Sequence, residues 1–283
     1  MCLEVKAGSF TLAKVNEDAF GYSQDCAWVL DGSTGLNGKR LVAEENSSDA
    51  QWYTKAYSSF LNENLPGSTE SLPELMARGV KTVWAEFLEK AGGPVPREDV
   101  PCTVGTVVRI RDGYLEYACV GDCCLLVRCC DGTVIELLDD TLCALDKESI
   151  RIGVEIARRE GLPLKACREK LLPRLLQVRL TMNTPEGYIS LANNPDVVLQ
   201  AVSGKIPLEK IRDICIVSDG FSEYYAMFSL ADTVAAFMDQ VANLEPRELF
   251  RRLVAAQKAD EALEKYPRFK LSDDATILYW PIQ

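Results

Sequence analysis

The chain has no histidine among its 283 residues. A Ser-His-Asp triad, a Cys-His dyad, a histidine-ligated zinc and a phosphohistidine intermediate are therefore all ruled out. Acid–base work falls to Asp, Glu, Lys, Tyr, Cys or metal-bound water. Basic residues are also scarce. Lys and Arg number 31 against 42 Asp and Glu, a net charge of −11. That balance argues against nucleic acid as a partner, because a phosphate backbone needs a basic footprint. It suits divalent cations, which need clustered carboxylates, although most of these charges serve solubility. No apolar run is long enough to span a bilayer, so no membrane partner is expected. The first ten residues, MCLEVKAGSF, show no apolar signal region.

Cysteine is plentiful, at 11 residues. The odd count, the chain length and the burial of many thiols in apolar runs such as YACVGDCCLLVRCC (117–130) speak against a disulfide scaffold. They indicate reduced, buried thiols and a cytoplasmic location. Neighbouring residues on a strand face opposite ways, so the Cys123-Cys124 and Cys129-Cys130 pairs do not read as a zinc site.

Apolar residues make up 47% of the chain, enough for a sizeable core. Short runs at 18–22 and 26–30 read as a hairpin turned by Ser23-Gln24-Asp25. Helical spacing follows from Asp49 through Leu61, after Ser48, and again over 71–90. Residues 103–138 read as a strand meander, with hairpin turns at Asp112-Gly113 and Asp131-Gly132. Helices are expected at 146–160, 163–178, 226–241 and 246–264, and strands at 188–192, 214–218 and 275–280. In 226–241 the spacing of Val234, Phe237, Met238 and Val241 marks a helix packed on a sheet rather than a substrate flap. Closely spaced strands with hairpin turns favour antiparallel pairing and an α+β fold. No linker or repeat interrupts the chain, so residues 1–283 read as one domain.

The acidic residues occupy telling positions. Asp31 ends AWVL, Asp122 follows YACVG, and Asp219 ends CIVS. Glu17-Asp18 and Asp273-Asp274 stand directly before strands. A hairpin brings Asp18 to Asp31, and antiparallel pairing brings Asp219 to Asp273. Taken singly, each Asp-Gly is more often a turn. Together they permit five or six carboxylates at one sheet edge, a density that needs cations to stay ionised. Oxygen-only ligation suits Mg²⁺ or Mn²⁺.

NEDAF (16–20), VLDGSTG (29–35), VGDC (120–123), VSDGFSE (217–223) and SDDAT (272–276), in this order, resemble the metal-dependent serine/threonine protein phosphatases of type 2C. Ser48 to Trp52 and VLDGSTGL are similar to a bacterial branch of that family. The resemblance implies an antiparallel β-sandwich with helices on both outer faces. It implies hydrolysis of phosphoserine or phosphothreonine by a water held between two cations, with Asp31, Asp219 and Asp273 as the catalytic centre. Asp31 would bridge both metals and the Gly32 carbonyl would bind one. Asp219 and Asp273 would complete the first site, and Glu17 and Asp18 would serve the second directly or through water. Asp122 would help a weaker third ion, and Glu223 would lie one layer further out. A phosphorylated protein or a small phosphoester is the implied substrate, and a partner kinase is implied with it.

The sequence departs from that pattern in three places. Ser33 stands where many members carry a histidine two residues after the bridging Asp. Ala13 stands where the family has a phosphate-binding Arg, leaving Lys14, one position on, as the candidate substrate-binding residue. The Gly-Thr-Thr strand motif is only partly kept in CTVGT (102–106). These losses define a second reading, a catalytically impaired relative acting as a regulatory binding module. The retained carboxylates weigh against it.

Overall fold

A computed structural model describes residues 4–282. Its strands form two five-stranded antiparallel sheets. One contains β2 (Ala19–Tyr22), β3 (Cys26–Ser33), β4 (Cys102–Arg111), β5 (Tyr114–Val120) and β8 (Val202–Pro207), hydrogen-bonded in that order. The other contains β1 (Lys6–Phe10), β10 (Ala275–Pro281), β9 (Ile211–Val217), β6 (Cys124–Cys129) and β7 (Val134–Leu137). The expected α+β sandwich with helices on both outer faces is therefore what the chain forms.

Strand alternation builds the layers. In β3, Cys26, Trp28 and Leu30 pack outward under two helices, α1 (Asp49–Asn64) and α2 (Leu72–Ala91). Ala27 and Val29 face the core between the sheets. In the second sheet Leu125, Val127, Ile214, Ile216 and Leu278 fill that same central core. Their neighbours Leu126, Cys215, Val217 and Ile277 face outward. There they meet α6 (Asp219–Ala226), α7 (Val234–Asn243) and α8 (Pro246–Ala259). Another helical pair, α3 (Thr141–Glu160) and α4 (Arg168–Leu180), joins β7 to the short α5 (Pro195–Val198) before β8. Val178 and Met182 anchor the end of α4 in the central core.

Local chemistry explains the helix starts. Ser71 and Glu74 form a reciprocal capping box on α2, and Gly92 closes the helix in the left-handed region at φ 78°. Ser48 caps α1 by accepting from the Gln51 amide at 3.1 Å. Asp49, beside it, accepts from the amides of Leu41, Val42 and Ala43 and ties down the preceding loop.

Several sequence expectations need correction. The 103–138 strands exist, but they do not form one meander. β4 and β5 lie in one sheet, and β6 and β7 in the other. Gly121 carries the chain across, with φ 72° and a backbone so close to Val104 that a Cβ would sit 2.5 Å from its side chain. Residues 188–192 are not a strand. They run past the end of β4 with the Leu191 amide donating to Thr103 O at 2.7 Å. The helix expected over 226–241 breaks, with Ser229 at φ 50°, and resumes at Val234. The segment expected over 246–264 ends at Ala259. Helix α6 and strands β1 and β8 had no clear periodic signal.

Ile216 is fully buried between the sheets, one residue from the end of β9. Truncation to Ala leaves a cavity among side chains that both sheets hold in place. Ile216→Ala is expected to destabilise the protein by about 2–5 kcal/mol, measured as a shift in urea midpoint with unchanged slope.

Candidate active site

The register of the strands decides which carboxylates meet. Ala19 pairs with Leu30, so the next residue out, Asp18, comes opposite Asp31. Ile277 pairs with Val217 and Cys124 pairs with the same Val217. The residues just beyond those strand ends are Asp122, Asp219, Asp273 and Asp274. Asp31 continues the inward row of Ala27 and Val29, so alternation carries it toward the gap between the sheets. Both sheets thus deliver acids to one end of the sandwich.

Most of these residues meet at a cleft of ≈ 220 Å³, while Asp18 and Asp274 lie behind its wall, Asp18 within electrostatic reach of Asp219 and Asp273. Glu17, Asp31, Asp122, Asp146, Asp219 and Asp273 line it. Gly32 and Ser33 belong to its wall, and Arg168, Arg179 and Lys270 are its basic members. A larger groove of ≈ 840 Å³ crosses α1 and α2, but none of the strand-end aspartates reaches it.

Asp219 is the first residue of α6. Its turn is fixed by the Thr276 amide donating to Ser218 Oγ at 2.9 Å, and by the Ser218 amide donating to Thr276 O at 3.0 Å. The next residue, Gly220, lies against the start of β10, where a Cβ would fall 2.0 Å from Asp274 O. Only glycine permits α6 and β10 to approach so closely, and that approach places Asp219 beside Asp273. Asp274 is turned away from this pair, its Oδ2 accepting from the Glu17 amide at 2.7 Å.

Electrostatics describe the same crowding. Burial, then the neighbouring acids, push the carboxyls of Asp18, Asp31 and Asp122 well above the usual range. Burial and Asp273 raise Asp219 to about 6, partly offset by a hydrogen bond from Asp31. Burial, then Asp219 and Asp273, raise Asp146 to about 7. Lys270 donates to Asp273 Oδ1 across 2.5 Å. Burial works against the charge on Lys270, but Asp273, Asp219 and Asp31 outweigh it and hold the ammonium above the usual lysine range.

The residues fit divalent cations. Asp18 is buried, and while its Oδ2 accepts from Thr276 Oγ1 at 2.7 Å, its Oδ1 has no hydrogen-bond partner. A buried carboxylate oxygen left open beside other acids is the place a hard cation satisfies. Among the described residues, no three acidic or cysteine side chains close into a ready-made cage. Mg²⁺ does not need one, because it keeps several waters and takes one or two carboxylates.

Glu17 lines the cleft, but its carboxylate is engaged by the Thr34 amide at 3.2 Å and by the hydroxyls of Thr34 and Ser48. Glu223 lies one turn along α6 from Asp219, accepts from Gln257 Nε2 at 2.8 Å, and is raised to about 7 by burial. Lys14 is exposed in the turn after β1 and is not part of the cleft wall. Asp146, Arg168, Arg179 and Lys270 were not singled out from the sequence. Asp146, Arg168 and Arg179 lie in helices far along the chain from the strand-end motifs. Only Lys270 left a hint, three residues before Asp273.

A family model described as protein phosphatase 2C matches residues 13–264. No curated protein sequence matches the chain significantly. Among solved structures, the catalytic domain of the serine/threonine protein phosphatase PstP in complex with two manganese ions superposes with a TM-score of 0.55 at 14% identity. The similarity covers 99% of this chain and 97% of that one. The phosphatase MsPP from Mycobacterium smegmatis, in complex with cacodylate, gives 0.54 at 16% identity over 99% of both chains. Stp1 from Staphylococcus aureus gives 0.53 at 13%, over 100% of this chain and 96% of that one. At these identities the likeness establishes the fold. The family match establishes more: the chain belongs to the protein phosphatase 2C family of metal-dependent protein phosphatases.

Proposed function

We propose that this chain, acting as a single catalytic unit over residues 1–283, hydrolyses phosphoserine and phosphothreonine in proteins with two Mg²⁺ or Mn²⁺ ions. The observation that carries this reading is the convergence of acids from both sheets on one cleft, with the open Asp18 Oδ1 close behind it. Asp31, Asp219, Asp273 and the Gly32 carbonyl are assigned to the two ions, with Asp18 beside them. Asp122 is assigned to a third, weaker ion. The solved PstP domain with two manganese ions supports the metal count. Bound divalent cations supply a water acidic enough to act as nucleophile near neutral pH, and positive charge for the phosphoryl oxygens.

The chain's own groups do the rest. Glu17 clasps Thr34 and Ser48 and so fixes the loop behind Gly32. Lys270 restrains Asp273 at the cleft wall. We assign the enzyme to the cytoplasm, where the mostly buried thiols stay reduced. A kinase that writes the phosphates removed here follows from the substrate class.

The first test is p-nitrophenyl phosphate turnover with Mn²⁺, with Mg²⁺ and with EDTA. Turnover with either metal and none in EDTA is expected, and Asp31→Asn should lower it by about 100-fold or more. A folded protein without turnover under any metal would sink the proposal and leave a binding module.

A second test uses the cleft's charge. Asp219, Asp146 and Glu223 have folded-state pKa values of about 6, 7 and 7, above the unfolded 3.8 and 4.5. Between those limits the folded metal-free protein binds more protons than the unfolded chain. Its stability is therefore expected to fall as pH rises from about 4 to 7. Divalent cation should raise Tm more at pH 7.5 than at pH 5. Asp31→Asn should raise the metal-free Tm and shrink the response to metal.

A further inference from the structure

Release of a seryl or threonyl oxygen needs a proton, and the chain has no histidine to give one. Of the hydroxyls and ammonium groups on the cleft, two are committed. Lys270 is paired with Asp273. The Tyr188 hydroxyl is buried against Cys102. Ser33 differs from both. It ends β3 two residues beyond Asp31, lies in the cleft wall, and is exposed to whatever occupies it.

Ser33 also has an unusual partner. Arg179 Nη2 donates to Ser33 Oγ at 2.9 Å and to Thr34 O at 3.1 Å, and Nη1 donates to Ser33 O at 3.2 Å. The hydroxyl oxygen thus accepts from a guanidinium, and among the described residues no protein acceptor takes its proton. The guanidinium is fixed. Arg179 is 6% exposed. It sits in the last turn of α4, whose end is pinned by Arg97 donating to Leu180 O at 2.9 Å and to Met182 O.

Resting on the phosphatase reading above, we propose that Ser33 is the proton donor to the leaving oxygen and that Arg179 is the positioning residue that prepares it. The P–O bond to the seryl oxygen breaks, and its electron pair stays on that oxygen. The Ser33 proton moves to it, and the proton lost by the attacking water returns to Ser33 through solvent. The sum is phosphoester plus water giving alcohol plus phosphate. Ser33 and the departing group are both alcohols, so the transfer between them is close to thermoneutral. The adjacent positive charge favours the transient negative charge residing on Ser33. An aryl phosphate leaves as a weakly basic phenolate and gains little from this donor.

The test compares a phosphoserine peptide with p-nitrophenyl phosphate, at saturating Mn²⁺, in wild type, Ser33→Ala, Ser33→Thr and Arg179→Gln. Ser33→Ala should lower kcat on the peptide about 100-fold with KM within about threefold, while kcat on the aryl substrate falls about threefold or less. Ser33→Thr keeps the hydroxyl and should stay within about threefold of wild type on both. Arg179→Gln should show the same split between substrates as Ser33→Ala. Equal losses on both substrates, a change confined to KM, or no loss at all would overturn the assignment. If Arg179→Gln fails to fold, Ser33→Ala decides alone, because its side chain is exposed. Aryl turnover by Ser33→Ala keeps this outcome separate from the phosphatase reading. A wild type inert toward both substrates would overturn both.

Discussion

Mutual repulsion among buried carboxylates is the constraint around which this protein is arranged. Asp18, Asp31, Asp122 and Asp219 are each pushed upward by burial first and then by neighbouring acids, Asp273 and Asp274 among them. No isolated loop would hold such a group together, because the charges would drive it apart. Two sheets hold it. The pairings of Ala19 with Leu30 and of Ile277 and Cys124 with Val217 lock the strand ends at one edge. The central core of Ile214, Ile216, Leu125 and Leu278 sets the distance between the sheets. The stability of that core is what opposes the electrostatic cost, and the cations the site would bind relieve it.

The same economy shows in how few groups of opposite sign the cleft contains. Lys270 meets Asp273 directly. Arg179 is close enough to Asp146 to lower its pKa against the upward push of burial, yet its hydrogen bonds go to the β3 terminus. A cleft neutralised by its own lysines and arginines would have no use for metal. This cleft keeps its acidic excess, and the buried Asp18 oxygen behind it has no hydrogen-bond partner. The neighbouring Glu17 also lines the cleft, and its hydrogen bonds from Thr34 and Ser48 tie the loop after β3 to that wall.

Much of this was legible in the sequence, for local reasons. A two-residue Asp-Gly turn between alternating apolar runs defines β4–β5, and Ser71 with Glu74 defines the start of α2. The strand-end aspartates could be grouped because hairpin geometry alone brings Asp18 to Asp31. Where local signals are weak, the sequence does not show the element. β8 is mostly exposed and carries Gly204 and Lys205, so it has little alternation to detect. YISLA has the composition of a strand, yet only Leu191 reaches a strand backbone, and it bonds to the end of β4 without extending the sheet.

By itself the sequence determined the chemistry on offer: carboxylates without histidine, placed at the ends of apolar runs, in an order that resembles one family. Those properties are set by residue identity and by contacts within a few positions along the chain. Only the tertiary structure decided that the strands after Gly121 cross to the second sheet, that Asp146 and Lys270 enter the cleft, and that Arg179 grips Ser33 from 146 residues away. Contacts of that span depend on how helices and sheets pack against each other. No periodicity or spacing in the chain encodes them separately from the folded whole.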